Sequence, residues 1–360
     1  MNDLRKTFLA GFFVLLILLL TPYYLQFIGY QNESTKEQPS SEKFLEKNRD
    51  VIVHQTPDVS ATTRESSSIN TKTLERVLQI ESELYQVDFS TLGGGSFQKY
   101  SLVQDGTNKY LGGYTDQGLY GDSLNVSLIL NQAQSCAPCV GVVYNGTPLV
   151  LKQPFSLKNT SSMAVVQPAF IAQEDSLILE TEYEDARFII NKTTTFFGNS
   201  FASEHRVEVQ DIKGGLEKVY LIWDKGLRNT EKNLRDDIQT YSAAYISYNK
   251  EIEDLWFAPS SLSDKVDPVS FSGNINWAAI RTKYFIVALL PSSSTSAVIS
   301  ADPYMFNEQA VVPSYSASVF TAQKTLNSTL YLGPLDIDPV GQLDSSLDRI
   351  MNFGWFIIQP

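Results

Sequence analysis

The chain has 360 residues, with 28 Lys and Arg against 40 Asp and Glu, a formal net charge of −12. An acidic surface repels phosphate backbones, which excludes nucleic acid as a natural partner. Two cysteines (Cys136, Cys139) and two histidines (His54, His205) are too few for a structural zinc site, while 43% hydrophobic residues can bury a core.

In chain order, residues 1–7 hold Arg5 and Lys6 and precede an uncharged apolar run, Phe8 to Ile28. About 20 apolar residues span a bilayer as a helix, so 8–29 is predicted as a membrane anchor. A cleaved leader would have a shorter apolar region followed by a small-x-small site, and this run instead ends in Tyr23, Tyr24 and a polar stretch. The positive flank places residues 1–7 in the cytoplasm and the remainder outside. Residues 30–73 are rich in Ser, Thr, Glu, Lys and Gln and cannot offset their ordering entropy, so they are predicted as a flexible polar linker that includes a solvated His54.

From Leu74 the pattern changes to short apolar runs. SLNVSLIL (123–130), VGVVY (140–144), SLILETEY (176–183), RFIINKTTTFF (187–197), HRVEVQDI (205–212) and KVYLIW (218–223) alternate with Gly-Gly and Asn-Gly turns. Many strands at close spacing predict a mainly β sandwich over 74–335. Thr230 to Ala244 reads as a short helix or polar loop. Over 336–353, Leu343, Leu347, Ile350 and Met351 recur at helical spacing, predicting an amphipathic helix. Such a helix either packs on the sandwich or lies in a membrane interface. The aromatic residues Phe353, Trp355 and Phe356 favour the interface, together with Leu347, Ile350 and Met351, and residues 354–360 read as the start of a second membrane segment.

Three motifs in order resemble one family. NWAAIRTKYFIVALLP (276–291), TLYLGPLDID (329–338) and LDRIMNFGWFIIQP (347–360) resemble signatures of the bacterial YidC-type membrane protein insertases, as does the strand pair with its Gly-rich turn, VDFSTLGGGSFQKYSL (87–102). Asn352 stands where Asp or Glu is common in that family. The resemblance implies a periplasmic β-supersandwich of the galactose mutarotase type between the N-terminal transmembrane helix and the C-terminal amphipathic helix. It also implies insertion and folding of inner-membrane proteins, alone or with the Sec translocon, in contact with lipid and without a cofactor. The family's groove arginine has no counterpart in these residues. Trp277, Lys283, Tyr284 and Phe285 are expected to hold the domain together.

Enzymatic readings are weaker. Cys136-Ala-Pro-Cys139 could be a redox pair, but that requires a helix after it, and VGVVYNG reads as a strand, so a structural disulfide is expected. His205 has no second usable His for acid–base work on a sugar, and no catalytic or metal-binding residue is assigned. The alternative function is a single-anchor periplasmic sandwich that binds a glycan or an envelope partner.

Overall fold

Period-two alternation organises most of the chain. In the antiparallel strands Ser176–Glu184, Phe188–Phe197, Ala202–Asp211 and Leu216–Trp223, alternate side chains such as Leu177, Leu179, Ile190, Val207, Val209, Val219 and Leu221 are buried. The computed structural model describes residues 73–351 apart from 104–109, 130–135, 161–166, 225, 294, 307–309 and 345. The anchor at 8–29, nearly all of the linker at 30–73, and Phe353, Trp355 and Phe356 lie outside the described residues. Within them, no helix is long and apolar enough to cross a membrane.

Two antiparallel sheets share one core. The larger has nine strands in the order Glu251–Leu255, Ala243–Tyr248, Ile275–Arg281, Phe285–Pro291, Thr325–Pro334, Ala202–Asp211, Phe188–Phe197, Ser176–Glu184 and Ser156–Thr160. The smaller has six, in the order Val269–Ser272, Ser296–Phe306, Ala310–Thr321, Leu216–Trp223, Cys139–Tyr144 and Thr147–Val150. Ile280, Val287 and Leu289 of the first meet Val219, Leu221, Ile299 and Val319 of the second in a single apolar cluster, as the inner faces of a sandwich do. A four-stranded sheet, in the order Ser96–Leu102, Tyr85–Ser90, Val77–Glu81 and Ala169–Phe170, adds aromatic residues to that cluster. The Phe97 ring centroid lies 5.6 Å from that of Phe196 and 6.3 Å from that of Trp223.

The turn chemistry accounts for the connections. Asn145 (φ 48°) and Gly146 (φ 73°) form the two-residue loop between paired Tyr144 and Thr147, both in the left-handed region that this tight hairpin requires. One expectation needs correction. Residues 123–129 are not one strand: among the described residues Tyr120–Asn125 pairs only with Leu111–Tyr114, and Ser127 makes a single bridge to Ser101. The exposed pattern of Tyr120–Asn125 shows why: with no second partner strand and little burial, pairing stops there. Thr230 to Ala244 contains one α-helical turn, Leu234–Asp236, which continues as a π-helical turn, Asp237–Tyr241.

The C-terminal helix differs most from expectation. It is two short pieces, an α-helix at Ile337–Leu343 and a 3₁₀ turn at Leu347–Ile350. Asp336 caps the first, accepting from the Asp338 amide at 3.4 Å. Asp344 separates the two, because its Oδ1 accepts from the Ser346 amide at 2.7 Å and the Ser346 hydroxyl at 2.6 Å. Asp and Ser offer the backbone this local alternative to a continuous helix.

Candidate functional site

The sequence motif at 276–291 has an unusual burial pattern. Ile275–Arg281 and Phe285–Pro291 are buried at nearly every position, not at every other one. Ala278, Ile280, Val287 and Leu289 face the sandwich core, whereas Trp277, Ala279, Ile286 and Ala288 belong to a second cluster with Tyr331, Val340, Leu347 and Ile350. The C-terminal pieces therefore cover the second face of the larger sheet. An uninterrupted apolar run is what a strand covered on both faces shows in sequence.

Polar groups fix this seam. The Trp277 indole N–H donates to the Ser346 hydroxyl at 2.8 Å. The Arg281 guanidinium, 3% exposed, donates through Nη1 to the Ile350 carbonyl and lies 5.9 Å from the Tyr241 ring centroid. Arg349 donates to the Lys250 carbonyl at 2.6 Å, and the Tyr331 hydroxyl donates to the Pro334 carbonyl at 2.8 Å. Burial of indole, guanidinium and phenol is tolerated because each has a hydrogen-bond acceptor.

Lys283 begins a charged margin. Its ammonium lies 3.6 Å from the Glu231 carboxylate, 4.0 Å from that of Asp236, and 5.2 and 5.1 Å from the Tyr241 and Tyr284 ring centroids. Buried Asp237 accepts from the Lys283 amide at 3.0 Å and from the Asn229 side chain at 2.9 Å. Burial pushes the Asp237 carboxyl above its ordinary value, and these two bonds partly offset it. Of the four motif residues expected to be structural, Trp277 and Phe285 are buried, Lys283 is tied by its ion pairs, and Tyr284 is half-exposed.

The expected membrane-facing residues Leu347, Ile350 and Met351 are buried within the protein. Leu347 and Ile350 pack against Trp277, Ile286 and Val340, so the apolar stripe of this segment is spent on the sheet and not presented to lipid. That correction follows from the two-sided apolar pattern of the strands beneath it.

The other candidate groups lie elsewhere. Cys136 and Cys139 are both buried and joined as a disulfide, with Cα atoms 5.4 Å apart. A strand, Cys139–Tyr144, follows directly, so no helix N-terminus is present to favour a thiolate. His205 is buried, with the Ser203 hydroxyl 2.9 Å from Nε2. Burial and the neighbouring Lys192 push its pKa well below the usual value, so the imidazole is neutral. Lys192 itself is 1% exposed and donates to the Gly95 carbonyl at 3.1 Å, and burial lowers its pKa to about 7. Thr181 likewise donates to the Gly94 carbonyl at 3.0 Å, so these side chains hold the glycine-rich loop from inside. Gly93, Gly94 and Gly95 have φ of 64°, 83° and 116°, which fits a turn and not a phosphate cradle.

Sequence reasoning passed over Lys192, Arg281, Asp237 and Ser346. Lys192 had a readable signal, since it shares the inward parity of Phe188, Ile190, Thr194 and Phe196. Arg281 shares the outward parity of Trp277 and Ala279. Among the described residues, no group of His, Cys, Asp and Glu is arranged to hold a metal ion. One surface concavity, about 400 Å³, is lined by Asn249, Lys250, Asn274, Asn276, Ser292 and their neighbours, with neither Trp nor a carboxylate.

The family profile described as "YidC periplasmic domain" matches residues 150–360. The protein named "Membrane protein insertase YidC" from Chlorobium limicola is 30% identical over 165 residues, covering 44% of this chain and 28% of the relative. Its namesake from Prosthecochloris aestuarii is 31% identical over 175 residues, covering 45% and 28%, and that from Chloroherpeton thalassium 31% over 188, covering 49% and 31%. The matched region spans less than a third of the length of these relatives. Among solved structures, a putative aldose 1-epimerase from Escherichia coli K12 aligns with a TM-score of 0.39 at 10% identity, covering 72% of this chain and 100% of its own. A galactose mutarotase related enzyme from Lactobacillus acidophilus aligns with a TM-score of 0.41 at 10% identity, covering 71% and 97%.

Proposed function

The chain belongs to the YidC periplasmic domain family, and from that premise we propose that it is the anchor and export-side portion of a membrane protein insertase. In this reading residues 8–29 hold it in the inner membrane with the N-terminus in the cytoplasm. The sandwich lies in the periplasm. Its partners are nascent inner-membrane proteins, the Sec translocon and lipid, with Phe353, Trp355 and Phe356 meeting the membrane surface. No covalent bond is made or broken, and the Cys136–Cys139 disulfide is structural. The observation that carries the reading is the seam at Trp277 and Arg281. It fastens residues 337–351 to the sandwich immediately before the aromatic run that begins at Phe353. The domain thereby sets the position of whatever follows that run.

Conditional depletion of the protein in its native cells tests this. A single-span reporter protein should lose its protease-protected fragment on depletion and regain it from a plasmid copy. Unchanged insertion on depletion would refute the proposal and leave the anchored binding domain as the better account.

A further inference from the structure

Asn249 and Lys250 form a two-residue hairpin loop between paired Tyr248 and Glu251, with φ of 50° and 69°. The second position of such a loop favours Gly, as at Asn145-Gly146, because a Cβ is strained in the left-handed region. Lysine at this position therefore calls for a reason. The backbone gives none: Arg349 donates to the Lys250 carbonyl at 2.6 Å, and glycine would offer the same carbonyl. What remains is the lysine side chain, on an exposed residue that lines the concavity of about 400 Å³.

Two more backbone irregularities meet at that concavity. Asn274 (φ 43°) donates from Nδ2 to Asn249 Oδ1 at 2.9 Å, which ties its loop to the hairpin. Asn276 is the extra residue of a β-bulge, since Ile275 pairs with Tyr248 and Trp277 with Ser247. With Ser293 these residues supply an ammonium, amides and a hydroxyl, and no carboxylate lines the concavity. Neither Lys250 nor Arg349 makes an ion pair among the described residues. On a chain of net charge −12, this is a place where an anion is attracted and not repelled. It is also close to the aromatic run. Arg349 is bonded to the hairpin, and the four residues from it to Phe353 reach at most roughly 14 Å.

We propose that the concavity binds the phosphate of an anionic phospholipid headgroup, with Lys250 as its cation and Asn276 and Ser293 as neutral donors. This rests on the reading that Phe353, Trp355 and Phe356 meet the membrane surface. Cations beside a membrane surface are drawn to anionic lipid. A zwitterionic headgroup brings its own cation beside Lys250 and is the poorer occupant.

Amide hydrogen exchange of the full chain in nanodiscs tests this. In phosphatidylglycerol nanodiscs the amides of 249–251 and 274–276 should exchange roughly threefold more slowly, or slower still, than in phosphatidylcholine nanodiscs. Lys250→Gly should abolish that difference while raising the melting temperature by roughly 2–4 °C, because glycine relieves the left-handed strain. Lys250→Arg should keep the difference. Protection that is absent in the unmodified chain, or that persists in Lys250→Gly, overturns the proposal. Equal protection from inorganic phosphate in phosphatidylcholine nanodiscs would identify a free-anion site and overturn it too. Quenching of Trp355 fluorescence by brominated lipid, read against Trp355→Phe, tests the membrane reading separately. Quenching without phosphatidylglycerol-dependent protection sinks the headgroup site alone, and no quenching sinks both.

Discussion

Lys192 is the residue whose chemistry is furthest from ordinary. An amine normally titrates near 10.4 in the unfolded chain, and burial brings it to about 7 in the folded one. The unfolded state therefore binds more protons between these two values, and stability rises with pH across that window. Below about pH 7 the full penalty of burying the charged amine is present. Thermal melts from pH 6 to 9.5 should show stability climbing by up to about 1.4 kcal/mol per pH unit from this group. Lys192→Met should flatten that slope, and an unchanged slope would remove the assignment. The Cys136–Cys139 bridge closes a very short loop and should be worth about 2 kcal/mol in the loop-entropy account. Cys136→Ser with Cys139→Ser should lower the denaturant midpoint by that much and leave reporter insertion intact. Loss of insertion in a variant that remains folded would revive a thiol-exchange role. Neither burial was fully legible in the sequence. Parity alone puts a Lys inside, yet a Lys is so seldom buried that its neighbours must be seen before the reading is credible.

At the scale of elements, the strands were readable and the C-terminal segment was not. Alternation in Ser176–Glu184, Phe188–Phe197 and Leu216–Trp223 marks a half-buried strand directly. Helical spacing from Leu343 to Met351 is real, but spacing does not register that Asp344 captures the Ser346 amide and hydroxyl and breaks the helix. Nor does an apolar stripe say whether it meets lipid or protein. That decision lay in a different part of the chain, in the uninterrupted apolar runs around Trp277 and Ile286. Trp277→Ala should cost about 3–5 kcal/mol, as large-to-small changes of buried aromatic residues do. Ser346→Ala should cost about 2 kcal/mol, the worth of the two hydrogen bonds its hydroxyl makes, from the Trp277 indole and to Asp344. Equilibrium unfolding of both variants checks the ratio. Equal losses would mean that the indole hydrogen bond, and not its packing, holds the seam.

Among the described residues, three layers stack on one another beside the four-stranded sheet: the six-stranded sheet, the nine-stranded sheet, and the C-terminal pieces over Trp277, Ile286 and Tyr331. A chain ending at Pro334 should still form the sandwich but expose that second apolar cluster. Gel filtration and light scattering should then show self-association, and a monodisperse monomer would mean the third layer is dispensable. The order of these layers along the chain has a temporal side. Domains begin to fold as they are synthesised, at about 5–20 residues per second. The strands Ile275–Arg281 and Phe285–Pro291 exist for seconds before Val340, Leu347 and Ile350, which cover them, have been made. During that interval their outward apolar side chains have no native partner, so the nascent chain is at its stickiest there, and the turn at Leu347–Ile350 is what covers them.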